Sequence, residues 1–108
     1  MKRVHIAIGV EDFDASITDY SRRLASGPVV VAQGEYALWR TEVLNLSIRK
    51  MDGVGVVRHI GFEDDTALGF SSLVDGNGIM WELFSPDSQI AEILSLWPDA
   101  EVSGQGER

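Results

Sequence analysis

Apolar and polar residues alternate from Arg3 to Val10, with Val4, Ile6, Ile8 and Val10 on one side of a strand and His5, Ala7 and Gly9 on the other, because successive strand side chains point to opposite faces. The period then lengthens. Phe13, Ile17, Tyr20 and Leu24 recur at helical spacing, Asp12 or Asp14 can cap the start, Arg22 and Arg23 suit the last turn, and Gly27-Pro28 stops the helix. Val29 to Ala32 reads as a β-branched strand closed by the turn Gln33-Gly34-Glu35. Tyr36 to Thr41 reads as the next strand and Leu44 to Lys50 as another, with Leu44, Leu46 and Ile48 alternating against Asn45, Ser47 and Arg49. The first half is therefore β-α-β-β-β.

After the glycine-rich connection Asp52-Gly53-Val54-Gly55 comes a strand carrying a histidine. Its alternation assigns Ile60 and Phe62 to one face and Val57, His59 and Gly61 to the other. Glu63-Asp64-Asp65 reads as a solvated strand exit. Thr66 to Gly69 is too short for a helix, so Phe70 to Val74 follows directly as extended chain. Asp75-Gly76-Asn77-Gly78 is a tight hairpin signal, and Ile79 to Phe84 returns as a strand. A short helix is expected from Pro86 and Asp87, with Ile90, Ile93, Leu94 and Trp97 on one side and Pro98 at its end. Residues 1–98 make one domain. Residues 99–108 lack apolar periodicity, which predicts an unstructured tail.

One residue breaks the pattern. Glu82 shares its strand face with Met80 and Phe84, and burying a carboxylate is costly unless it is paired or coordinates a metal. Glu82 therefore needs a partner.

Composition narrows the function classes. A chain of 108 residues with 44% hydrophobic content is long enough for one core. A net charge of -8 works against nucleic acid and anionic membrane, whose binding relies on cationic side chains. The absence of cysteine removes thiolate ligands, disulfides and thiol nucleophiles together and agrees with a cytoplasmic protein. Val4 to Val10 is interrupted by His5 and runs into Glu11 and Asp12, unlike a secretory leader.

The two histidines sit in similar surroundings. His5-Ile6-Ala7-Ile8-Gly9-Val10-Glu11-Asp12 and His59-Ile60-Gly61-Phe62-Glu63-Asp64-Asp65 each run from histidine through apolar residues to an acidic exit. With the β-α-β-β-β order and Asp75-Gly76-Asn77 leading to Trp81-Glu82-Leu83-Phe84-Ser85-Pro86, the chain resembles the vicinal oxygen chelate superfamily over about Arg3 to Pro86. That superfamily includes glyoxalases, extradiol dioxygenases and bleomycin-resistance proteins.

The resemblance implies an α+β fold in which a βαβββ module and a shortened second β module form a curved mixed sheet around a cleft, followed by the C-terminal helix. It implies a divalent metal, Fe, Mn, Ni or Zn, held by His5, His59 and Glu82. Two imidazoles and one carboxylate suit such an ion and leave positions open for substrate oxygens. Only 22 residues separate His59 from Glu82, so the second half is truncated, and a second copy of the chain is expected to complete it as a homodimer. Where glyoxalases supply a further glutamate from the first half, this sequence aligns Asn45. The triad favours dioxygenase-type chemistry on a small molecule with vicinal oxygens over lyase or isomerase chemistry.

Trp39, Asn45 and Arg49 are candidate substrate-binding residues, with Tyr36 and Arg40 near Trp39, and Arg49 placed to meet an anion. Glu35 and Glu42 are weaker candidates for a base. Trp81 and Trp97 are expected to pack between sheet and C-terminal helix or at a dimer interface. The rival reading is a non-catalytic, resistance-type protein without metal, binding a small aromatic or cationic compound in an acidic dimer cleft. A third is an interaction protein whose short second half builds an oligomer.

Overall fold

A computed structural model of the chain describes residues 2–53 and 55–103. Its strands and helices follow in the order β1 (Lys2–Val10), α1 (Phe13–Leu24), β2 (Val30–Ala32), β3 (Tyr36–Arg40), β4 (Leu44–Lys50), β5 (Val56–Asp64), β6 (Ser71–Val74), β7 (Met80–Phe84), α2 (Pro86–Leu96) and β8 (Glu101–Val102). The fold is α+β. The strands form one open mixed sheet in the order β6-β7-β5-β1-β4-β3-β2-β8. Val54, in the glycine-rich connection, lies outside the described residues, as do 104–108.

The middle of the sheet is the antiparallel β1–β5 pair, in which Ile6 faces Ile60, His5 faces Gly61 and Ala7 faces His59. The sheet grows outward in a matching way on each side. β4 runs parallel to β1 and β3 antiparallel to β4; β7 runs parallel to β5 and β6 antiparallel to β7. Among the described residues, the first half places a helix and a further strand, β2, between its first strand and β3, where the second half has neither.

That helix is capped by the Asp12 carboxylate, which accepts from the Ala15 N–H at 3.0 Å. It ends at Ala25, whose φ of 52° is left-handed, a conformation more usual for glycine. α1 covers the face carrying Val10, Ala37, Trp39 and Ile48, and Phe13 is buried among them. α2 covers the opposite face, where Ile93 packs with Val30, Ala32, Tyr36 and Leu38. It starts on a Ser85–Ser88 capping box with Pro86 in the first turn. Because both faces of β3 are covered, Tyr36 through Trp39 are all buried, as expected of a strand sandwiched between layers.

The outer half differs. Among the described residues, no helix covers the side of β5–β7–β6 that corresponds to the α1 side, and Val57, Leu73, Trp81 and Leu83 are exposed there. Trp81 thus lies on the far side of the sheet from α2, bonded through its indole N–H to Asp75, whereas Trp97 stacks on Tyr36 with ring centres 4.9 Å apart. The expected tail is also partly ordered: Glu101 and Val102 pair with Val31 and Val30, so the sheet gains an edge strand.

The β1–β5 register shifts between Ala7 and Ile8, since Ala7 pairs with His59 but Ile8 pairs with Val57. Arg58 is the extra residue of a β-bulge. The bulge corrects the strict alternation read from the sequence, because it turns Val57 to the Ile8 side and lets Arg58 share the cleft side with His59.

Gly61 permits the close approach of β7. A Cβ at Gly61 would overlap the Glu82 backbone, lying 2.7 Å from its nitrogen and 2.8 Å from its carbonyl carbon. Gly61→Ala should destabilise the fold by about 1–3 kcal/mol, measured by urea unfolding, while Gly27→Ala, with open space around the new methyl, should stay within about 0.5 kcal/mol of the parent. Equal stability of Gly61→Ala and the parent would show that β7 does not need this approach.

Candidate metal centre

Side chains in one row across a sheet share a face, and the register assembles such a row on the cleft side. Glu82 pairs with Gly61, Gly61 with His5, His5 with Asn45, and Asn45 with Arg40. His59 stands diagonally across from His5. The His5 and His59 Nε2 atoms are 3.1 Å apart, His59 Nε2 is 2.9 Å from Glu82 Oε1, and His5 Nε2 is 3.7 Å from the same oxygen. His5, His59 and Glu82 thus form a group able to hold a metal ion.

The triangle also has a fitting size. Sides of 2.9, 3.1 and 3.7 Å are short enough for one ion to reach all three donors at the roughly 2.0–2.2 Å usual for nitrogen and oxygen ligands.

A buried carboxylate behind the centre sets its chemistry. Glu63 is only 1% exposed, which corrects its reading as part of a solvated exit. It accepts from Arg3 Nη1 at 2.7 Å, from Arg40 Nε and Nη2 at 2.9 and 2.8 Å, and from Asn45 Nδ2 at 2.8 Å. Burial pushes its pKa up, but the Arg40 and Asn45 hydrogen bonds and the charges of Arg40 and Arg3 outweigh this, and the net direction is down.

An ionised carboxylate only accepts. The Asn45 amide nitrogen must therefore face Glu63, which turns Asn45 Oδ1 toward His5 Nδ1, 2.9 Å away. His5 Nδ1 in turn carries the proton, and its Nε2 lone pair points at Glu82 and His59. Outer-shell partners of this kind fix the tautomer of metal-binding histidines. Gln89 braces Asn45 from α2, accepting from Nδ2 at 2.8 Å and donating to Oδ1 at 3.2 Å. Burial is the largest influence on His5 and lowers its pKa, against a smaller rise from the Asn45 hydrogen bond. The ring is thus neutral at pH 7, the form that ligates metals.

The cleft continues as a cavity of about 130 Å³ whose walls include Tyr36, Arg49, Arg58, Phe70 and Trp97 beside the triad. Of the residues the sequence suggested, Arg49 does line it. Trp39 does not: it is fully buried on the α1 side, donating its indole N–H to Ser21 Oγ at 3.2 Å and meeting Tyr20 edge-on, because it pairs with Leu46 and shares that residue's face. Asn45 stands behind His5 instead of in the cavity wall. Glu35 and Glu42 are exposed turn residues away from the cleft; the carboxylates at the cavity are Glu82 and Glu92.

The alignment of Asn45 with a fourth ligand position also changes. Glu82 pairs with Gly61, whose counterpart across the Ile6–Ile60 centre is Ala7, and Ala7 pairs with Ser47. Ser47 is therefore the counterpart of Glu82. Arg58 was missed because alternation sends it away from His59, although two adjacent polar residues between Val57 and Ile60 are the mark a bulge leaves.

The chain matches no protein-family model and no curated protein. Among the described residues, no helix is long and apolar enough to cross a membrane.

Replacing Glu63 tests the hub. Its depressed pKa means that the stability it contributes is present above the unfolded value, near 4.3, and is lost as pH falls through the lower folded value. Glu63→Gln should cost about 2–3 kcal/mol at pH 7, less than a fully buried pair because both guanidiniums keep some contact with water. The parent should lose that advantage in unfolding scans from pH 6 to pH 2. A gap between the two proteins that stays constant over this range would contradict the assignment.

Proposed function

We propose that the protein is a vicinal-oxygen-chelate-like metalloprotein that holds a divalent Fe, Mn, Ni or Zn ion on His5, His59 and Glu82 and acts on a small molecule through its paired oxygens. One observation carries the reading: three donor atoms 2.9 to 3.7 Å apart, set on three neighbouring strands by the β1–β5 and β5–β7 registers. When bound, the ion would supply a Lewis acid for the oxygens of a diol, an enediolate or a hydroxy-ketone.

The residues around it perform the rest. Asn45 holds His5 in the donor-ready tautomer, Glu82 offsets cationic charge, and Phe84, edge-on to His5 at 4.9 Å and stacked with Phe70 at 5.2 Å, keeps water from one side. Ser47 in the place matching Glu82 leaves three protein ligands. That favours dioxygenase-type chemistry, which needs sites for both substrate and oxygen, over the lyase or isomerase chemistry of glyoxalases.

The same reading includes a homodimer. A free β6 edge and the uncovered side bearing Val57, Leu73, Trp81 and Leu83 are features that soluble monomers usually protect. A second copy would cover them.

Purified protein reconstituted with Fe(II), Mn(II), Ni(II) or Zn(II) should retain about one ion per chain after desalting, by elemental analysis. His59→Ala should weaken retention on the order of 100-fold or more, since loss of even an outer-shell partner costs 10–100-fold. Failure of the parent to retain any of these ions would end the metalloprotein reading and leave the non-catalytic binder. In light scattering at micromolar concentration the mass should be about twice 11.9 kDa; a stable monomer would remove the dimer.

A further inference from the structure

Two arginines line the cavity, and among the described residues no ion pair joins either of them to a carboxylate. In a chain with 17 acidic residues, Arg3 and Arg40 pair with Glu63, and Arg22 and Arg23 pair with Asp19. Among the described arginines only Arg49 and Arg58 have no ion pair with a described carboxylate, and both line the cavity beside the triad. Glu82 is committed to His59 at 2.9 Å, and Glu92 sits on the exposed side of α2 at the cavity rim.

Their placement is built. The bulge turns Arg58 to the His59 side of β5, and the Arg49 guanidinium lies 5.1 Å over the Trp97 ring, whose other neighbour is the stacked Tyr36. The two cations are near enough to act on each other: burial and then the Arg49 charge lower the Arg58 pKa, the Glu82 charge opposes them, and the net direction is down. Two like charges kept close and partly desolvated repel each other, and an anion between them offsets that repulsion and the cost of desolvation.

We propose that Arg49 and Arg58 bind a carboxylate, making the ligand of this cleft a small planar acid that carries a carboxylate apart from the oxygens it presents to the triad. The second half of this statement rests on the metalloprotein reading; the first does not. A guanidinium fork matches the two oxygens of a carboxylate, and the Tyr36–Trp97 stack offers a flat wall. The cavity, about 130 Å³, is well below the roughly 300–1,000 Å³ of sites for drug-sized ligands. The cleft lining sets Arg49 and Arg58 against Glu82 and Glu92, so it does not share the negative excess of the chain as a whole.

The first arm of the test uses the full chain after dialysis against a chelator, titrated with benzoate, benzylamine and inorganic phosphate by calorimetry. Benzoate should bind about tenfold or more tightly than benzylamine. Arg49→Gln and Arg58→Gln should each weaken benzoate at least about fivefold, with circular dichroism and the unfolding midpoint unchanged. Benzylamine binding as well as benzoate, or arginine variants binding benzoate like the parent, would overturn the proposal. Phosphate binding more tightly than benzoate would overturn the choice of carboxylate.

The second arm uses metal-loaded protein with 3,4-dihydroxybenzoate and catechol, which differ only in the carboxylate. The acid should bind about tenfold more tightly, and Arg58→Gln should bring the ratio near one. Metal-loaded protein that binds the two alike would overturn the arginine site while leaving the triad standing. Protein that takes up no metal but passes the first arm would do the reverse.

Discussion

The register of β1 against β5 is the constraint from which the rest follows. Pairing Ile6 with Ile60 puts each histidine one residue from a common centre, on the same face, and brings their Nε2 atoms to 3.1 Å. A slip of one residue would send one histidine to the opposite face. The parallel attachment of β7 then adds Glu82 beside Gly61, where the missing side chain allows the strands to close. The bulge next to Ala7 re-aims Arg58, so a single irregularity in the same pair changes what the cleft offers a ligand.

Behind this sheet row lies an electrostatic chain. Arg3 and Arg40 make it possible for the Glu63 carboxylate to stay ionised while buried, the carboxylate orients the Asn45 amide, and the amide orients the imidazole of His5. Each link follows from hydrogen-bond polarity alone. The net charge of -8 describes the surface the protein shows at a distance. It does not describe the cleft, where Arg49 and Arg58 are the described arginines left unpaired.

Much of this was legible along the chain. The element order, the Asp12 alternative for the helix cap, the Asp75–Gly78 turn and the faces of β4 all follow from local spacing, and the near-repeat around His5 and His59 identified the residues that meet. The errors share one origin. Trp39 looked like a pocket residue because a strand offers two faces, and local pattern does not say which of two covered faces holds the cavity. Glu63 looked solvated because its neighbours Asp64 and Asp65 are acidic too, while the two arginines that bury it come from β1 and β3.

Period, capping and turn chemistry depend on residues within a few positions of one another, so sequence alone was enough to establish the elements and the side each residue takes in an unbroken strand, while the resemblance to a known family added the His5, His59 and Glu82 group. The pairing around Glu63 joins residues 18 to 60 positions apart, and the β1–β5 register and its bulge join strands about as distant. Only the folded sheet could therefore show that the donors stand at ligand spacing, that Ser47 and not Asn45 matches Glu82, and that Arg58 turns inward. Those outcomes depend on which strands become neighbours, and that is settled by packing across the whole sheet.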